Sequence, residues 1–486
     1  MKLSRCTSLT LQIFMCVYSH HYIVSSIWQV EKKTMEIEIL SRENIKPSSP
    51  TPTHLRTHVL SLLDQVSPPV YHSCLIFYSA SKAASISNSQ RSQVLKQSLS
   101  RTLTLYYPLA GRNIDKFSID CNDEGISYTV AKVGCKLCDY LKQLDFSKFP
   151  KLVPEEIIHC EMTPGCHVVK IQETMFACGG FALGVGTTHN IIDVISLTAF
   201  LNAWGSMARE GAALSPDFNS SYIFPQNKSL PLDLTASTSM TQFLQEKRTF
   251  VGRRFVFEGP VISYLKAKAT RLGVQKPTRA EVVVALLFKC IISASKAKSG
   301  GKKKSALLPT SVNLRRRAAP KFPDTSVGNI LLIAPIKLNS EETDVRSFVS
   351  RMRDTFSPMN GDFVKSLQGE QGLKSLCEYL RRVGESYSKG ISNGDEIIVF
   401  TSWCNSGTYS IDFGWGKPVW YAACVPALGI SASLIQLVDT RSGDGIEAWV
   451  SLEEEIMGVV ERDKELLSVA SVDPSPLEID SLNSKL

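Results

Sequence analysis

The chain of 486 residues is about three times as long as a typical ~150-residue domain, so we expect two large domains. Its composition, 43% hydrophobic and 21% charged, excludes a disordered chain, a collagen-like repeat and a coiled coil. The formal net charge of +8 is concentrated, because five lysines lie within residues 296–304 around a Gly-Gly pair. A loop-like run of this kind indicates a solvated surface insertion, so we expect no nucleic-acid partner.

The first 34 residues differ from the rest of the chain. Residues 6–30 carry no formal charge and follow two basic residues, which is the outline of a secretory signal. Serines and histidines interrupt the stretch, so it is a poor membrane span. We interpret residues 1–34 as an extension outside the fold of a cytoplasmic protein that does not contact membranes; a targeting signal is the alternative.

Strand-like and helix-like segments alternate from Met35 onward, which predicts an α/β fold. Residues 35–40 alternate as in a first strand, and residues 89–105 have the apolar spacing of a helix. In residues 181–186 every second position is small, which predicts a strand whose backbone is approached closely on one face. A helix with Ile191 among its apolar positions is expected to follow.

The second half begins after a stretch rich in proline, serine and threonine. Residues 216–250 are therefore predicted to be a crossover between an N-terminal domain of residues 35–215 and a C-terminal domain of residues 251–486. Thr278 and Glu281 form a capping box that predicts a helix through Cys290. The other predicted elements are strands at 255–257, 396–403, 418–425, 431–438 and 445–451, and helices at 260–272 and 452–468.

The sequence excludes a zinc site and a serine-hydrolase active site, because each lacks residues that it requires elsewhere in the chain. The thirteen cysteines are scattered, and the pair Cys135 and Cys138 has no second pair to complete a zinc site, so we expect no metal. Residues 390–394 match the nucleophile-elbow pattern of serine hydrolases. That elbow requires a later histidine, and none of the eight histidines follows His189.

The informative histidine is His189, which lies where the small-residue strand ends. Asp193 follows it by four residues, in the pattern His-x-x-x-Asp. An imidazole with a pKa near ~6.5 can accept and return a proton at neutral pH, as a general base does. A core histidine with satisfied hydrogen bonds is the alternative. A second motif, Asp-Phe-Gly-Trp-Gly at residues 412–416, predicts a tight aromatic turn.

Together the two motifs resemble those of the plant BAHD acyltransferase family, and the resemblance extends from Met35 over nearly the whole chain. His189 and Asp193 match the HxxxD motif, and residues 412–416 match DFGWG without a change. Further similar stretches are Lys46-Pro47-Ser48, Tyr107 to Arg112, Val312 to Arg315 and Ser326 to Asn329. Residues 45–52 and 444–449 are most similar to the vinorine-synthase-like clade of alkaloid acetyltransferases.

The resemblance implies two chloramphenicol-acetyltransferase-like domains, with mixed sheets flanked by helices and a central channel between them. His189 would be the general base, and Asp193 would pair with Arg315 to hold it in place. Structural support would come from the turn residues Asp412, Gly414, Trp415 and Gly416. The Trp415 indole would also be a candidate donor to the oxyanion.

The resemblance also implies an acyl-CoA co-substrate and no permanently bound cofactor. Lys266, Lys268, Thr278 and Asn313 are the candidate CoA-binding residues. Lys302, Lys303 and Lys304 are not expected to bind CoA, because exposed charges without an ordered setting contribute little.

We expect a monomeric acyl-CoA-dependent O-acyltransferase that transfers acetyl to a hydroxyl of a plant alkaloid or terpenoid. One departure from the family pattern is Val194, where Gly or Ala is usual, and it bears on the acceptor rather than on the reaction. The alternatives are an aromatic acyl-CoA donor, an amine acceptor, or a catalytically degenerate relative that binds a small molecule without turnover.

Overall fold

A computed structural model describes residues 36–68, 70–80, 86–157, 163–231, 233–235, 249–302, 304–423 and 432–477. The strands in these residues form three sheets. In chain order the strands are β1 Ile37–Ile45, β2 Thr57–Val59, β3 Tyr71–Tyr78, β4 Arg112–Asn113, β5 Ser118–Asp120, β6 Ile126–Val133, β7 Val169–Phe176, β8 Phe181–Thr188, β9 Phe250–Phe257, β10 Ala306–Asn313, β11 Leu331–Leu338, β12 Glu396–Ile397, β13 Val399–Ser402, β14 Trp420–Ala423, β15 Leu434–Asp439, β16 Ile446–Glu453 and β17 Ser471–Val472.

The helices pack on these sheets and differ widely in length. In chain order they are α1 Asn88–Leu105, α2 Leu137–Lys142, α3 Val194–Ala208, α4 Ser220–Ile223, α5 Gly259–Arg271, α6 Arg279–Lys298, α7 Val345–Phe356, α8 Gly361–Ser366, α9 Gly372–Asn393, α10 Glu454–Val460 and α11 Lys464–Leu467. The described residues contain no helix that is long and apolar enough to cross a membrane.

The first sheet has six strands in the order β1-β6-β7-β8-β3-β14. Strands β6 and β7 are parallel, whereas β8 runs antiparallel to both of its neighbours, β7 and β3. The edge strand β14 comes from the second half of the chain and pairs with β3, with Trp420 opposite Phe77. The second half of the sequence therefore completes the sheet that the first half begins.

Strand β8 confirms the prediction that a small-residue face admits a close neighbour. A Cβ atom added at Gly184 would lie 2.1 Å from the carbonyl oxygen of Leu152, and one at Gly186 would lie 2.7 Å from the side chain of Ile157. These neighbours belong to two short 3₁₀ turns, Phe146–Leu152 and Glu155–Ile157. The glycines therefore let other backbone pack directly on the strand that leads to His189.

The second sheet has eight strands, in the order β11-β10-β13-β15-β16-β9-β17 with β12 also paired to β10. It is mixed, since β13 runs parallel to both β10 and β15. Its helix-facing side packs on α6, where Val283, Leu287 and Ile291 are buried with Ile435 and Leu437 of β15. The described residues from Glu38 onward form one compact unit.

Most predicted elements are present, but their ends differ. The predicted helix at 89–105 is α1, which begins after a capping box formed by Ser87 and Gln90. The helix after His189 starts only at Val194, because Asp193 is its N-cap residue. Of the predicted crossover, residues 236–248 lie outside the described part of the chain, as do residues 424–431 between two predicted strands.

Two predictions about charged segments were wrong. Helix α6 continues beyond Cys290 to Lys298, so the first two lysines of the basic run belong to a helix rather than a loop. Cationic side chains are favourable in a last helical turn, and Lys298 pairs there with Glu453 and Glu455. The single helix predicted at 452–468 is in fact two helices, α10 and α11, because Asp463 is the N-cap residue of a second helix.

Candidate active site

His189 lies directly after β8, where the chain leaves the first sheet. Its backbone N–H donates to the carbonyl of Val70 at 2.8 Å, which ties it to the segment before β3. The half-buried imidazole has its Nδ1 3.0 Å from Oδ1 of Asn329. No group among the described residues hydrogen-bonds its Nε2, so this nitrogen is available to a ligand.

The protonation state of His189 follows from its surroundings. Burial lowers the pKa of His189 below the ordinary value of 6.5, while a hydrogen bond to its own backbone carbonyl, the charge of Asp193 and the hydrogen bond to Asn329 oppose this decrease. A lowered pKa keeps the imidazole neutral at physiological pH. The neutral form is the one that can accept a proton from a bound hydroxyl.

The predicted pair of Asp193 and Arg315 is present and almost fully buried, with exposed side-chain fractions of 3% and 0%. Two guanidinium nitrogens donate to the two carboxylate oxygens, at 2.5 and 3.1 Å. Asp193 also accepts from the backbone N–H of Ser196 at 3.0 Å and so caps α3. Val194, the first residue of that helix, is half-buried beside this pair.

Arg315 also holds the segment that carries Asn329. Its Nη2 donates to the carbonyls of Ser326 and Gly328, each at 2.9 Å. Asn329 follows immediately, and its Nδ2 donates to the backbone carbonyl of His189 at 2.7 Å. The Asp193–Arg315 pair therefore positions both the turn after His189 and the residue that contacts its imidazole.

A second histidine faces His189. The ring centroids of His72 and His189 are 4.7 Å apart in an edge-to-face arrangement, and Nε2 of His72 lies 2.7 Å from Oγ1 of Thr187. Burial lowers the pKa of His72 well below its ordinary value, and the nearby His189 lowers it further. Both rings are thus neutral near pH 7, and His72 forms one wall of the site.

Sequence reasoning missed His72 and gave Asn329 no role. Asn329 lies in the stretch Ser326 to Asn329, which we quoted only for its resemblance to the family. His72 had no local signal, because its proximity to His189 arises from the pairing of β3 with β8, in which His72 is opposite Thr187.

The motif at 412–416 forms a tight turn that packs on α3. The Asp412 carboxylate accepts from the backbone N–H groups of Gly414 and Gly416, at 2.8 and 3.0 Å. Both glycines have positive φ, 109° and 101°, which other residues rarely adopt. Arg209 at the end of α3 donates to the Asp412 carbonyl.

The structure does not bring Trp415 to His189. The Trp415 ring contacts Phe181 at the start of β8, with centroids 5.8 Å apart, whereas His189 follows the end of that strand. Eight strand residues span roughly 26 Å, so the indole is far from the imidazole. Its contacts are those of a packing residue.

The candidate CoA-binding residues lie apart from one another. Lys266 and Lys268 are on α5, and Lys268 pairs with Glu465 at 3.2 Å. The Thr278 backbone N–H donates to the Glu281 carboxylate at 2.7 Å and is not available for phosphate, whereas the Thr278 hydroxyl accepts from the Glu281 backbone N–H at 3.2 Å and keeps its own hydrogen for donation. Asn313 ends β10 and accepts from the backbone N–H of Arg315 at 2.9 Å.

The basic run has few fixed contacts. Lys304 pairs with Glu396 at 3.0 Å while 43% of its side chain stays exposed, Lys302 is exposed, and Lys303 lies outside the described residues. An exposed pair of this kind contributes little and is screened by salt.

Comparison with known proteins agrees with this geometry. Residues 35–467 match the model of the Transferase family. The chain is similar to limonoid 7-O-acetyltransferase of Citrus sinensis, with 43% identity over 91% of this chain and 100% of that protein. It is 33% identical to stemmadenine O-acetyltransferase of Catharanthus roseus, over 88% of this chain and 97% of that protein.

Among solved structures, the chain resembles the crystal structure of vinorine synthase, with a TM-score of 0.72 and 31% identity over 90% of this chain and 99% of that one. This likeness confirms the predicted two-domain α/β architecture with mixed sheets. The family model covers most of the chain, and the two relatives above, both named acetyltransferases, match it over nearly their whole length. The chain therefore belongs to the Transferase family of BAHD acyltransferases and is an acyltransferase.

Proposed function

We propose that this enzyme transfers acetyl from acetyl-CoA to a hydroxyl of a limonoid, with His189 as the general base. The observation that carries the proposal is the imidazole itself, whose Nδ1 is held by Asn329 while no described residue occupies its Nε2. Identity to limonoid 7-O-acetyltransferase is 43%, against 33% for stemmadenine O-acetyltransferase, and the proposed acceptor follows the more similar of these two relatives.

The reaction requires one proton to move twice. Nε2 of His189 takes the hydroxyl proton as the acceptor oxygen attacks the thioester carbonyl and forms a tetrahedral intermediate. Collapse of the intermediate breaks the carbon–sulfur bond, and the imidazolium returns the proton to the leaving CoA sulfur. The thioester is already activated, so the site has to align the two substrates and accept one proton.

Replacement of His189 tests the proposal directly. We expect His189→Ala to lower kcat by ~10²–10⁴-fold, the usual effect of losing a general base. His54→Gln is the matched control, because His54 is an exposed histidine. Rates should be measured as acceptor-dependent release of CoA thiol, with the acetylated product identified by mass spectrometry.

The acceptor panel distinguishes the alternatives. It should contain limonoid alcohols, alkaloid alcohols and amines, each with acetyl-CoA and with an aromatic acyl-CoA. Acetylation of alkaloid alcohols alone, or of amines alone, would contradict the proposed acceptor. Absence of acceptor-dependent thiol release over the whole panel would favour a binding protein without turnover.

We propose that Lys266 and Lys268 contribute to CoA binding, with the Thr278 hydroxyl and Asn313 as further candidates. Both lysines lie on α5, where Lys268 pairs with Glu465 at 3.2 Å and Lys266 makes no ion pair with any described residue. The double variant Lys266→Ala/Lys268→Ala should raise the KM for acetyl-CoA more than about threefold, and neutralising residues 302 and 304 should raise it less. If neutralising residues 302 and 304 raised the KM for acetyl-CoA more than the double variant did, the basic run would be the CoA-binding site instead.

We also propose that the protein acts as a monomer in the cytoplasm. His189 and its described partners Asn329, Asp193 and Arg315 all belong to one chain, so the site needs no second copy. Size-exclusion chromatography with light scattering would test the monomer, and a fluorescent fusion of the full chain would test the compartment.

A further inference from the structure

We infer that Asp64 is a positioning residue that sets the tautomer of His189 through Asn329. This inference rests on the proposed role of His189 as the base. Asp64 does not touch His189, and it reaches the imidazole through the side-chain amide of Asn329.

The Asp64 carboxylate is a buried acceptor that is fully supplied with donors. Its Oδ2 accepts from the backbone N–H and the hydroxyl of Ser61, at 2.9 and 2.6 Å. Its Oδ1 accepts from the backbone N–H and the Nδ2 of Asn329, at 2.7 and 3.0 Å. Only 2% of Asp64 is exposed, and no cation among the described residues pairs with it. Burial raises the pKa of Asp64, and these four hydrogen bonds oppose the increase.

These contacts fix which way the Asn329 amide points. Its outer nitrogen lies between the Asp64 carboxylate and the backbone carbonyl of His189, at 3.0 and 2.7 Å. A backbone carbonyl can only accept, and the Asp64 Oδ1 already accepts from the Asn329 backbone N–H, so the NH₂ group must face these two oxygens. The reversed amide would place its oxygen against two acceptor oxygens.

The amide orientation in turn fixes the imidazole. With its NH₂ group committed, Asn329 presents Oδ1 to Nδ1 of His189 at 3.0 Å. An amide oxygen can only accept, so Nδ1 must carry the hydrogen and Nε2 must carry the lone pair. This is the tautomer that a base acting through Nε2 requires. The backbone carbonyl of His189 also accepts from the ring, and the Asp64 carboxylate, two hydrogen bonds away, reinforces the same tautomer through Asn329.

The same arrangement also stabilises the charged intermediate. When His189 takes the proton of the substrate hydroxyl, the imidazolium donates through Nδ1 to an amide whose NH₂ group is held by the Asp64 carboxyl group. Hydrogen bonds that join charged groups are stronger than those between neutral ones. Asp64 is therefore expected to affect kcat more than the KM of either substrate, because neither substrate touches it.

The first test is spectroscopic and needs no variant. The full chain has eight histidines, so labelling with ¹⁵N-histidine gives few signals, and His189→Gln identifies those of His189. Long-range ¹⁵N–¹H spectra separate a protonated from an unprotonated ring nitrogen. We expect a protonated Nδ1 and an unprotonated Nε2 in the wild-type protein, and the reverse pattern would overturn the inference.

The second test compares two aspartate variants. Asp64→Asn keeps the size but places an amide where donors converge. We expect kcat to fall at least about tenfold, and by less than the ~10⁴-fold known when the aspartate touches its histidine directly. Asp123→Asn is the matched control, because Asp123 also accepts from one backbone N–H and one hydroxyl, both of Thr51. Its kcat should not change.

The outcomes separate this inference from the proposed function. Asp64→Asn with an unchanged tautomer and a kcat within about twofold of wild type would refute the role of Asp64, even if His189→Ala is inactive. If His189→Ala retains activity, the proposed function fails. The ¹⁵N spectra of the wild-type protein and of Asp64→Asn would still test whether Asp64 influences the tautomer of His189 through Asn329. If Asp64→Asn does not fold, Asn329→Ala provides the same comparison, since it removes the amide acceptor of Nδ1 and leaves only the His189 backbone carbonyl. We expect the fraction of the tautomer protonated at Nδ1 to fall together with kcat, and an unchanged fraction and an unchanged kcat would overturn the inference.

Discussion

Replacement of Asp193 by alanine tests the buried pair next to the active site. The substitution leaves the guanidinium of Arg315 without the carboxylate that it contacts at 2.5 and 3.1 Å. Breaking a buried pair by removing one partner costs about 3–5 kcal/mol. Loss of the cap of α3 adds about 1 kcal/mol.

The surrounding structure moderates this cost. Arg315 keeps its hydrogen bonds to the carbonyls of Ser326 and Gly328 and to the Ser196 hydroxyl, so its charge is not left without acceptors. We therefore expect Asp193→Ala to lower the free energy of unfolding by about 4 kcal/mol. Domains of ordinary stability have only about 5–15 kcal/mol in total. The rate should also fall, because the segment held by Arg315 carries Asn329.

The assay is urea unfolding followed by the fluorescence of the six tryptophans, together with kcat for the same preparations. Asp193→Asn is the conservative control, since it retains an oxygen for the N-cap and for one guanidinium nitrogen. The double variant Asp193→Ala/Arg315→Met should be more stable than Asp193→Ala, because no charge is left buried and unpaired. A free energy of unfolding for Asp193→Ala within about 1 kcal/mol of wild type would refute the reasoning.

Three further predictions follow from the same structure. Because the pKa of His189 is lowered, its neutral form persists below pH 6.5, so kcat/KM should stay level through that pH and decline only in more acidic buffer; a decline centred above pH 6.5 would contradict this. Gly184→Ala should yield little folded protein, because the new Cβ would lie 2.1 Å from the Leu152 carbonyl oxygen, and a melting temperature equal to wild type would show that this contact relaxes freely. Deletion of residues 1–34 should leave kcat unchanged, and an insoluble or inactive protein starting at Met35 would reverse the interpretation of that segment.

Sequence patterns predicted the elements whose signals are local. The capping box of Thr278 and Glu281 marks the start of α6, and the alternating small residues mark β8. The pattern around β14 identified a strand but not its sheet, because nothing local to Trp420–Ala423 indicates pairing with β3. The break between α10 and α11 was missed because amphipathic periodicity continues across the cap at Asp463.

The same distinction applies to the active site. His189, Asp193 and Arg315 could be named from motifs and from resemblance to a family. Asp64 and His72 could not, because each acquires its role only when distant segments meet. Asp64 contacts a residue 265 positions later, and His72 approaches His189 across the pairing of β3 with β8.

The active site is built where the two halves of the chain meet, and this limits how it can be perturbed. His189 belongs to the first half, whereas Asn329, which fixes its imidazole, belongs to the second. Two contacts away from this point also tie the halves together. Strand β14 pairs with β3, and the Asp412 carbonyl lies so close to Gly205 of α3 that an added Cβ would be 2.6 Å from it. A substitution that loosens either contact should change the position of Asn329 relative to His189 without unfolding either sheet. The motif at 412–416 can therefore matter for catalysis although none of its side chains reaches the imidazole, because it holds in register the half of the chain that supplies Asn329.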